Sequence, residues 1–475
     1  MGIPVYFKTI VQEYESTILK KDKLLLCNSL FLDLNCAIHP CCRGETNEEI
    51  MIQKIIDKIN ELIEYTNVSE LLYIAIDGIP PKGKMKQQRM RRHKSILEGK
   101  PWDTNAITPG TYFMEKLNHR LKDYKNEKVN QVIISDSDIR GEGEHKILQY
   151  IKKNNNLGTK VIYGLDADLI MLSMVSGKEN IFLLRERTEY NIENTDNDYI
   201  YLEIDELMKK INQTCNVNDY IFLCFLLGND FINHLPSLCL RYGGYDVILE
   251  TYQMMQERYG SYFQLIDLNL DHCIHLTFFK EFIYELSLKE KYLLQKKQMI
   301  RQKQYNRSYQ NYSHIFHKFH KFRENNSLND IYEFQNNYTG DIDKCKEMIN
   351  NLPILYYPDE KKYQYSSDYK LSEDYLKSLI WTSHYYFKEC IHWKYSTEYD
   401  TGPLLKNLSE YLINLNKLSF IEEKKEYSIQ EQLKFIFPQQ SHKLHKYNIE
   451  LNEYNLQIKY HGCRYLWECP ILFKY

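Results

Sequence analysis

Carboxylates recur at the ends of apolar runs in the first half of this chain. Asp33 closes the run LFLD, Asp77 closes YIAID, Asp166 and Asp168 close YGLDAD, and Asp230 sits in LLGNDF. Asp136 follows a further apolar run, and Glu142 and Glu144 come next in the turn RGEGEHK. A single acid at a strand end usually caps the helix that follows. Five loops delivering acids to one edge form a different pattern, because clustered negative charges repel unless positive charge sits among them. Hard divalent cations with oxygen ligands meet that need, and Mg²⁺ or Mn²⁺ suits the set. Two such ions, roughly 4 Å apart and held by carboxylates, are the usual arrangement for in-line phosphodiester cleavage. Glu142 and Glu144 are two residues apart and do not share a helix face, so a loop and a first helical turn are expected to present them. Gly141 and Gly143 would let that backbone bend toward the ions.

A second segment, PPKGKMKQQRMRRHK, is basic. If it is helical after the proline pair, Lys84, Gln88, Arg91 and Arg92 fall at i, i+4, i+7 and i+8 on one face. Two guanidiniums, an ammonium and an amide match a terminal phosphate, since Arg binds its oxygens bidentately and Lys adds a point charge. Taken alone, the segment reads equally as an exposed basic helix or a nuclear targeting run; its place directly after Asp77 favours the phosphate.

These groups need a scaffold that brings loop ends together. Apolar runs at Leu30–Leu34, Leu71–Ile76, Gln131–Ile134, Val161–Leu165 and Ile181–Leu184 read as strands. Helical patterns at Glu48–Tyr65, Pro109–Tyr124, Glu144–Lys153 and Asp168–Met174 lie between them. The alternation predicts an α/β fold with a mainly parallel sheet covered on both faces. Ligands of such sheets bind outside the carboxyl ends of the strands, where the acids fall. Fourteen of the 18 glycines precede position 250, which places the site in the first half. Asp219–Leu227 is a buried helix or strand that periodicity does not decide. A long helix is expected from Leu276 to about Lys303. From Lys289 to Arg323, ten Lys or Arg accompany one acid, Glu290, interleaved with Tyr305, Tyr309, Tyr312, Phe316, Phe319 and Phe322. That stretch is a solvated arm or a basic contact for a nucleic acid backbone. Further on, Glu373–Cys390 reads as a helix and Gln457–Phe473 as a strand-rich end.

Composition narrows the class. With 475 residues and a net charge of −3, the chain is no globally basic nucleic-acid coat, so any such site must be a local patch. No apolar run approaches the roughly 20 residues of a membrane span, and no membrane partner is expected. Position 6 is Tyr6, against myristoylation at Gly2. None of the 12 cysteines forms a C-x-x-C pair, and free thiols are expected. The abundance of Tyr, Asn, Lys and Ile points to an AT-rich genome.

Taken in order, MGIPVYFKTI, LDLNCAIH, AIDGIPPKGKMKQQRMRRHK, ITPGTYFM, IISDSDIRGEGEHKI, YGLDADLIML and FLCFLLGNDFINHLPSL resemble the Xrn-type 5′-to-3′ exoribonucleases over most of residues 1–240. A fainter likeness continues through DYLKSLIWTSHYYF, SIQEQLKFIFPQQSHKL and YLWECPILF. The resemblance implies a PIN-like nuclease core at 1–250, a helical basic arm and Asn/Tyr-rich connection at 251–342, and a smaller α+β second conserved region at 343–475. It implies metal and catalytic carboxylates at Asp33, Asp77, Glu142, Glu144, Asp166, Asp168 and Asp230. It implies a 5′-monophosphate pocket at Lys84, Gln88, Arg91 and Arg92, and base stacking between His39 and Trp393. The expected substrate is decapped single-stranded RNA, which ties the protein to a decapping activity in the cytoplasm or nucleus. A flap-type DNA nuclease and a non-catalytic module that binds RNA 5′ ends are the alternatives. The chain departs from the family pattern at Cys36, where glycine is frequent, and resembles a short, core-only member.

Overall fold

The computed structural model describes residues 10, 13–19, 26–97, 100–186, 199–323, 369–458 and 471–474. The MGIPVYFKT start, the connection at 324–368 and all of YLWECP lie outside the described residues, as do the side chains of the aromatic residues interleaved along 305–322.

The apolar runs become strands of one sheet: β1 (Ile18–Leu19), β2 (Ser29–Asp33), β3 (Leu71–Ala75), β4 (Gln131–Ser135), β5 (Lys160–Tyr163), β6 (Ile181–Glu186) and β7 (Tyr199–Glu203). Their order is β1-β7-β6-β5-β2-β3-β4. Strands β2 to β6 pair in parallel, and β7 runs antiparallel to both β6 and β1. Helices α1 (Asn35–Cys42) and α2 (Glu48–Thr66) connect β2 to β3. Helices α3 (Lys82–Leu97) and α4 (Tyr112–Lys122) connect β3 to β4, α5 (Gly143–Lys153) leads to β5, and α6 (Asp168–Met174) leads to β6.

Strands β2, β3 and β5 are buried along their whole length because apolar layers cover both faces. Leu30, Leu32, Leu72 and Ile74 pack with α2 and α4 on one side. Phe31, Tyr73 and Ile162 pack with α5, α6 and the later helices on the other. Strand β2 lies between β3 and β5, so successive connections leave it in opposite directions. That topological switch point opens a crevice at the carboxyl ends of β2 and β5, where Asp33 and Asp166 stand.

Beyond the sheet come α7 (Ile204–Ile211), α8 (Val217–Phe225), α9 (Gly244–Tyr259), α10 (Leu276–Arg323), α11 (Tyr369–Phe387), α12 (Leu405–Ile413) and α13 (Ile429–Ile436). An antiparallel pair, β8 (Asn455–Ile458) and β9 (Ile471–Lys474), follows. The undecided Asp219–Leu227 stretch is thus helical, and the helix from Leu276 continues to Arg323. The expected boundary at 250 falls inside α9, and one apolar cluster joins Phe31, Leu223, Tyr252, Phe282, Trp381 and Leu408. Among the described residues, no helix is long and apolar enough to cross a membrane.

The lone acid of the basic stretch has a structural task. Glu290 is 5% exposed; its carboxylate accepts from the Leu405 and Lys406 N–H groups at 2.7 and 2.9 Å and from the Ser237 hydroxyl at 3.0 Å. It thereby caps α12 and binds the second conserved region to α10. Lys289 and Lys297 also turn inward, to Thr251 Oγ1 at 2.9 Å and the Pro236 carbonyl at 2.8 Å. Glu290→Ala strands three donors, two of them buried, and is expected to lower the unfolding free energy by about 2 kcal/mol or more. Equilibrium denaturation measures it; a loss below about 1 kcal/mol would mean that water replaces the carboxylate.

Candidate active site

The carboxyl ends of the parallel strands surround a cavity of about 870 Å³. Asp33, Asp77, Glu142, Glu144 and Asp166 line one part of it, and Gln88, Arg91, Arg92 and His39 another. Lys84 also lines it, whereas Asp168, Asp230 and Trp393 do not.

Each acid is held by the element that delivers it. Asp33 is the last residue of β2. Asp77 follows β3, and both its oxygens are occupied: Asn35 Nδ2 donates to Oδ2 at 2.9 Å and the Gly143 N–H to Oδ1 at 2.6 Å. Asn35 also accepts from the Asp77 N–H at 3.1 Å, so the start of α1 locks the loop after β3. The turn before α5 brings Glu142 to its N-cap position and Glu144 into its first turn. Gly141 makes that turn with a φ of 97°. A Cβ at Gly143 would fall 2.7 Å from Asp33 Oδ1, so a side chain there would displace that carboxylate. Lys146 braces the same corner through the carbonyls of Ile76 and Asp136, at 2.7 and 2.8 Å.

Among the described residues, one cation ion-pairs with these acids. Lys84 Nζ lies 2.6 Å from Glu142 Oε1 and 2.9 Å from Asp230 Oδ2. Gln87 Nε2 donates to the other Asp230 oxygen at 2.7 Å. Although burial alone raises the Asp230 pKa, Lys84 brings it below the ordinary range. Burial lowers the Lys84 pKa, but Asp230 and Glu142 outweigh it and the ammonium is held well above its usual value. The other acids lack enough positive charge. Burial pushes Asp33 well up, and Asp77 and Asp166 add to the rise. Burial raises Asp77 and Glu142 despite Gly143 and Lys84, raises Glu144 further with help from Glu142, and takes Asp168 to about 7 with help from Asp230.

Among the described residues, Asp33 Oδ1, Glu144 Oε2 and Asp168 Oδ1 are buried without a hydrogen-bond partner. Orphaned carboxylate oxygens beside like charges fit divalent cations with oxygen ligands. Glu142, Glu144 and His145 offer ligand atoms within 4.8 Å of one another. The His145 ring is buried against Tyr385, centroids 3.9 Å apart, and burial keeps it neutral.

The second wall is cationic. Arg91 is exposed, while Arg92 donates to the Ile107 carbonyl at 3.1 Å; among the described residues neither makes an ion pair. Burial, then the neighbouring charge of Arg91, lowers the Arg92 pKa to about 10. The His39 side chain is exposed at the cavity, and desolvation by its surroundings, then the charges of Arg92, Arg91, Lys100 and Arg43, lower its pKa to about 4. Trp393 stands elsewhere, its carbonyl accepting from the Lys82 N–H at 2.9 Å and its ring 5.3 Å from the Arg140 guanidinium.

Sequence reasoning did not single out Asn35, Gln87 or Tyr385 as site residues. Asn35 and Gln87 adjoin the motifs LDLN and KQQR, so their amide chemistry was in view without a partner. Tyr385 Oη donates to Glu142 Oε2 at 2.9 Å from α11, 243 residues away, and no local pattern signals that.

The XRN 5'-3' exonuclease N-terminus family model matches residues 1–100 and 94–187, and the Xrn1 helical domain model matches residues 210–353. The chain is 31% identical to 5'-3' exoribonuclease 1 of Saccharomyces cerevisiae, over 53% of this chain and 20% of that protein. It is 26% identical to the 5'-3' exoribonuclease 2 homolog of Drosophila melanogaster, over 92% of this chain and 64% of that protein. The matched stretch is thus less than two thirds of either relative. Among solved structures, the catalytic core of Rad2 in complex with DNA substrate aligns with a TM-score of 0.34 and 15% identity, covering 55% of this chain and 74% of that one.

The raised carboxyl pKa values carry a pH dependence. The ion-free fold binds more protons than the unfolded chain, so these groups cost stability increasingly as pH rises from about 4 through about 7. Asp230, with its depressed pKa, acts in the opposite sense at lower pH. Asp168→Asn is therefore expected to raise the melting temperature of chelator-treated protein at pH 8, with the gap to wild type closing below about pH 4. Thermal melts of both proteins across pH check it; a gap independent of pH would refute the cause.

Proposed function

Because the chain belongs to the Xrn-type 5′-to-3′ exoribonuclease family, we propose that it hydrolyses single-stranded RNA from a 5′-monophosphorylated end and releases nucleoside 5′-monophosphates. The observation that supports this most is that one cavity is lined both by carboxylates and by Gln88, Arg91, Arg92 and His39. Asp33, Asp77, Glu142, Glu144, Asp166, Asp168 and Asp230 would hold two divalent ions, Mg²⁺ or Mn²⁺. Such ions supply an activated water and stabilise charge on the leaving oxygen. The residues of the chain do the rest. Arg91 and Arg92 bind the terminal phosphate by charge-assisted hydrogen bonds, and Gln88 orients it. The neutral His39 ring stacks on a base without competing for the phosphate. RNA leaving the cavity past the start of α3 would meet Trp393. A cap adds a nucleotide to the terminal phosphate, so decapping would precede attack.

The test uses end-labelled RNAs with 5′-monophosphate, 5′-hydroxyl and capped ends, and the matching DNA, in Mg²⁺ and in Mn²⁺. Mononucleotide release from 5′-phosphorylated RNA alone is expected. Preferred cleavage of DNA would replace this reading with a flap-type nuclease, and binding without turnover would leave an end-binding module.

Asp166→Ala should abolish turnover while leaving RNA binding largely intact, because losing an ion ligand removes several kcal/mol of catalysis. Wild-type-like turnover of this variant in saturating Mg²⁺ would remove Asp166 from the ligand set. Replacing Arg91 and Arg92 together by Ala should erase the preference for 5′-monophosphate over 5′-hydroxyl RNA. Charge-assisted hydrogen bonds contribute roughly 1.5–3 kcal/mol each, so the loss in kcat/KM on the phosphorylated substrate is about one to four decades. Equal slowing of both substrates would instead mean general backbone contact.

A further inference from the structure

Sulfur donors line the cavity as well as oxygen donors, and of its two cysteines, Cys36 and Cys42, the first stands against an acid. Cys36 stands in the first turn of α1 with its Sγ 3.2 Å from Asp33 Oδ2, and the same sulfur accepts from the Leu165 N–H at 3.3 Å. Leu165 directly precedes Asp166, so the thiol is pinned between the chain segments that carry two of the acids, and it lines the same cavity. Two unpartnered buried oxygens share that cavity wall: Asp33 Oδ1 and Glu144 Oε2, on side chains 6% and 5% exposed. Among the described cysteines, Cys36 alone hydrogen-bonds a carboxylate.

Oxygen donors suit Mg²⁺, whereas sulfur selects softer cations. Zinc binds thiolate sulfur at about 2.3 Å and carboxylate oxygen at about 2.1 Å, so the two donors on one ion lie roughly 3.1–3.6 Å apart for right-angle to tetrahedral arrangements. The observed spacing of 3.2 Å falls in that interval.

We propose that Cys36 and Asp33 form a ligand pair for a thiophilic divalent cation such as Zn²⁺ or Cd²⁺, which therefore competes with Mg²⁺ at this site. The proposal rests on the reading that these carboxylates hold divalent ions. Binding forms a metal–sulfur bond, breaks the S–H bond and passes the proton to solvent, with no change of oxidation state.

The test adds Cd²⁺ stepwise to the full chain. It follows the ultraviolet thiolate-to-cadmium charge-transfer band and the heat of binding for wild type, Cys36→Ser and Asp33→Asn. Circular dichroism verifies the fold of each. The remaining cysteines contribute equally to wild type and Cys36→Ser, so the difference between them isolates Cys36. Wild type should show an additional saturable band that Cys36→Ser lacks, at least tenfold tighter Cd²⁺ binding than either variant, and weaker Cd²⁺ binding in excess Mg²⁺. Wild type and Cys36→Ser with the same band and affinities within twofold would overturn the proposal, as would a band indifferent to Mg²⁺. Mg²⁺-dependent turnover of 5′-phosphorylated RNA by the same wild-type preparation tests the nuclease reading separately. A Cys36-dependent band without turnover supports the thiol site and overturns the nuclease; turnover without the band does the reverse.

Discussion

Seven carboxylates gathered at the end of a sheet set the terms for the rest of this molecule. Two unit charges 4 Å apart repel by about 4 kcal/mol at an effective dielectric of 20, and burial removes the water that would soften it. Among the described residues one ammonium, that of Lys84, touches two of the seven. Neutral donors do much of the remaining work: Asn35 and the Gly143 amide on Asp77, Gln87 on Asp230, Tyr385 on Glu142. Three oxygens still have no partner among the described residues. Such an arrangement survives only if the backbone is fixed by something stronger than the repulsion. The parallel strands, buried on both faces, provide that rigidity.

The later helices belong to the same device. Helix α3 presents Lys84, Gln88, Arg91 and Arg92 to the cavity, so its other side must be gripped. Met85 packs with Leu433 and Ile436 of α13. The Arg89 guanidinium lies 3.8, 4.3 and 5.1 Å from the rings of Phe473, Tyr454 and Phe435. His93, one turn further on, meets Tyr454 and Phe473 edge-on. A helix with little apolar surface of its own is thereby held by cation–π and aromatic contacts from the second conserved region. Tyr385 and Glu290 make comparable ties elsewhere.

Legibility in the sequence follows the range of the interaction. The strands were readable because full burial forces near-continuous apolar runs, and α6 begins at Asp168 where the reading places it. The acids were readable because strand-end position is local. Depth was not. The periodicity puts Lys84 on the same face as Arg92 but does not reveal that its ammonium sits between Glu142 and Asp230 while Arg92 turns to the Ile107 carbonyl and Arg91 is exposed. His39 and Trp393, named as stacking partners, illustrate the same limit: the first lines the cavity and the second packs beside Lys82 and Arg140. Which tyrosine among 41 reaches Glu142 depends on how α11 docks, a matter of tertiary packing.

Electrostatics also explains why a single helix carries both Lys84 and the arginine pair. Seven acids around Lys84, the one ammonium that ion-pairs with them among the described residues, make that end of the sheet strongly negative when ionised. A polyanion approaching that centre faces repulsion. Arg91 and Arg92 supply positive charge at the other wall, without ion-pair partners of their own among the described residues and therefore available to a phosphate. Placing them two helical turns beyond Lys84 separates the charge that stabilises the acids from charge that no acid among the described residues takes up. A helix is stiff enough to keep that separation; a loop would let the arginines fold back onto the carboxylates and cancel both.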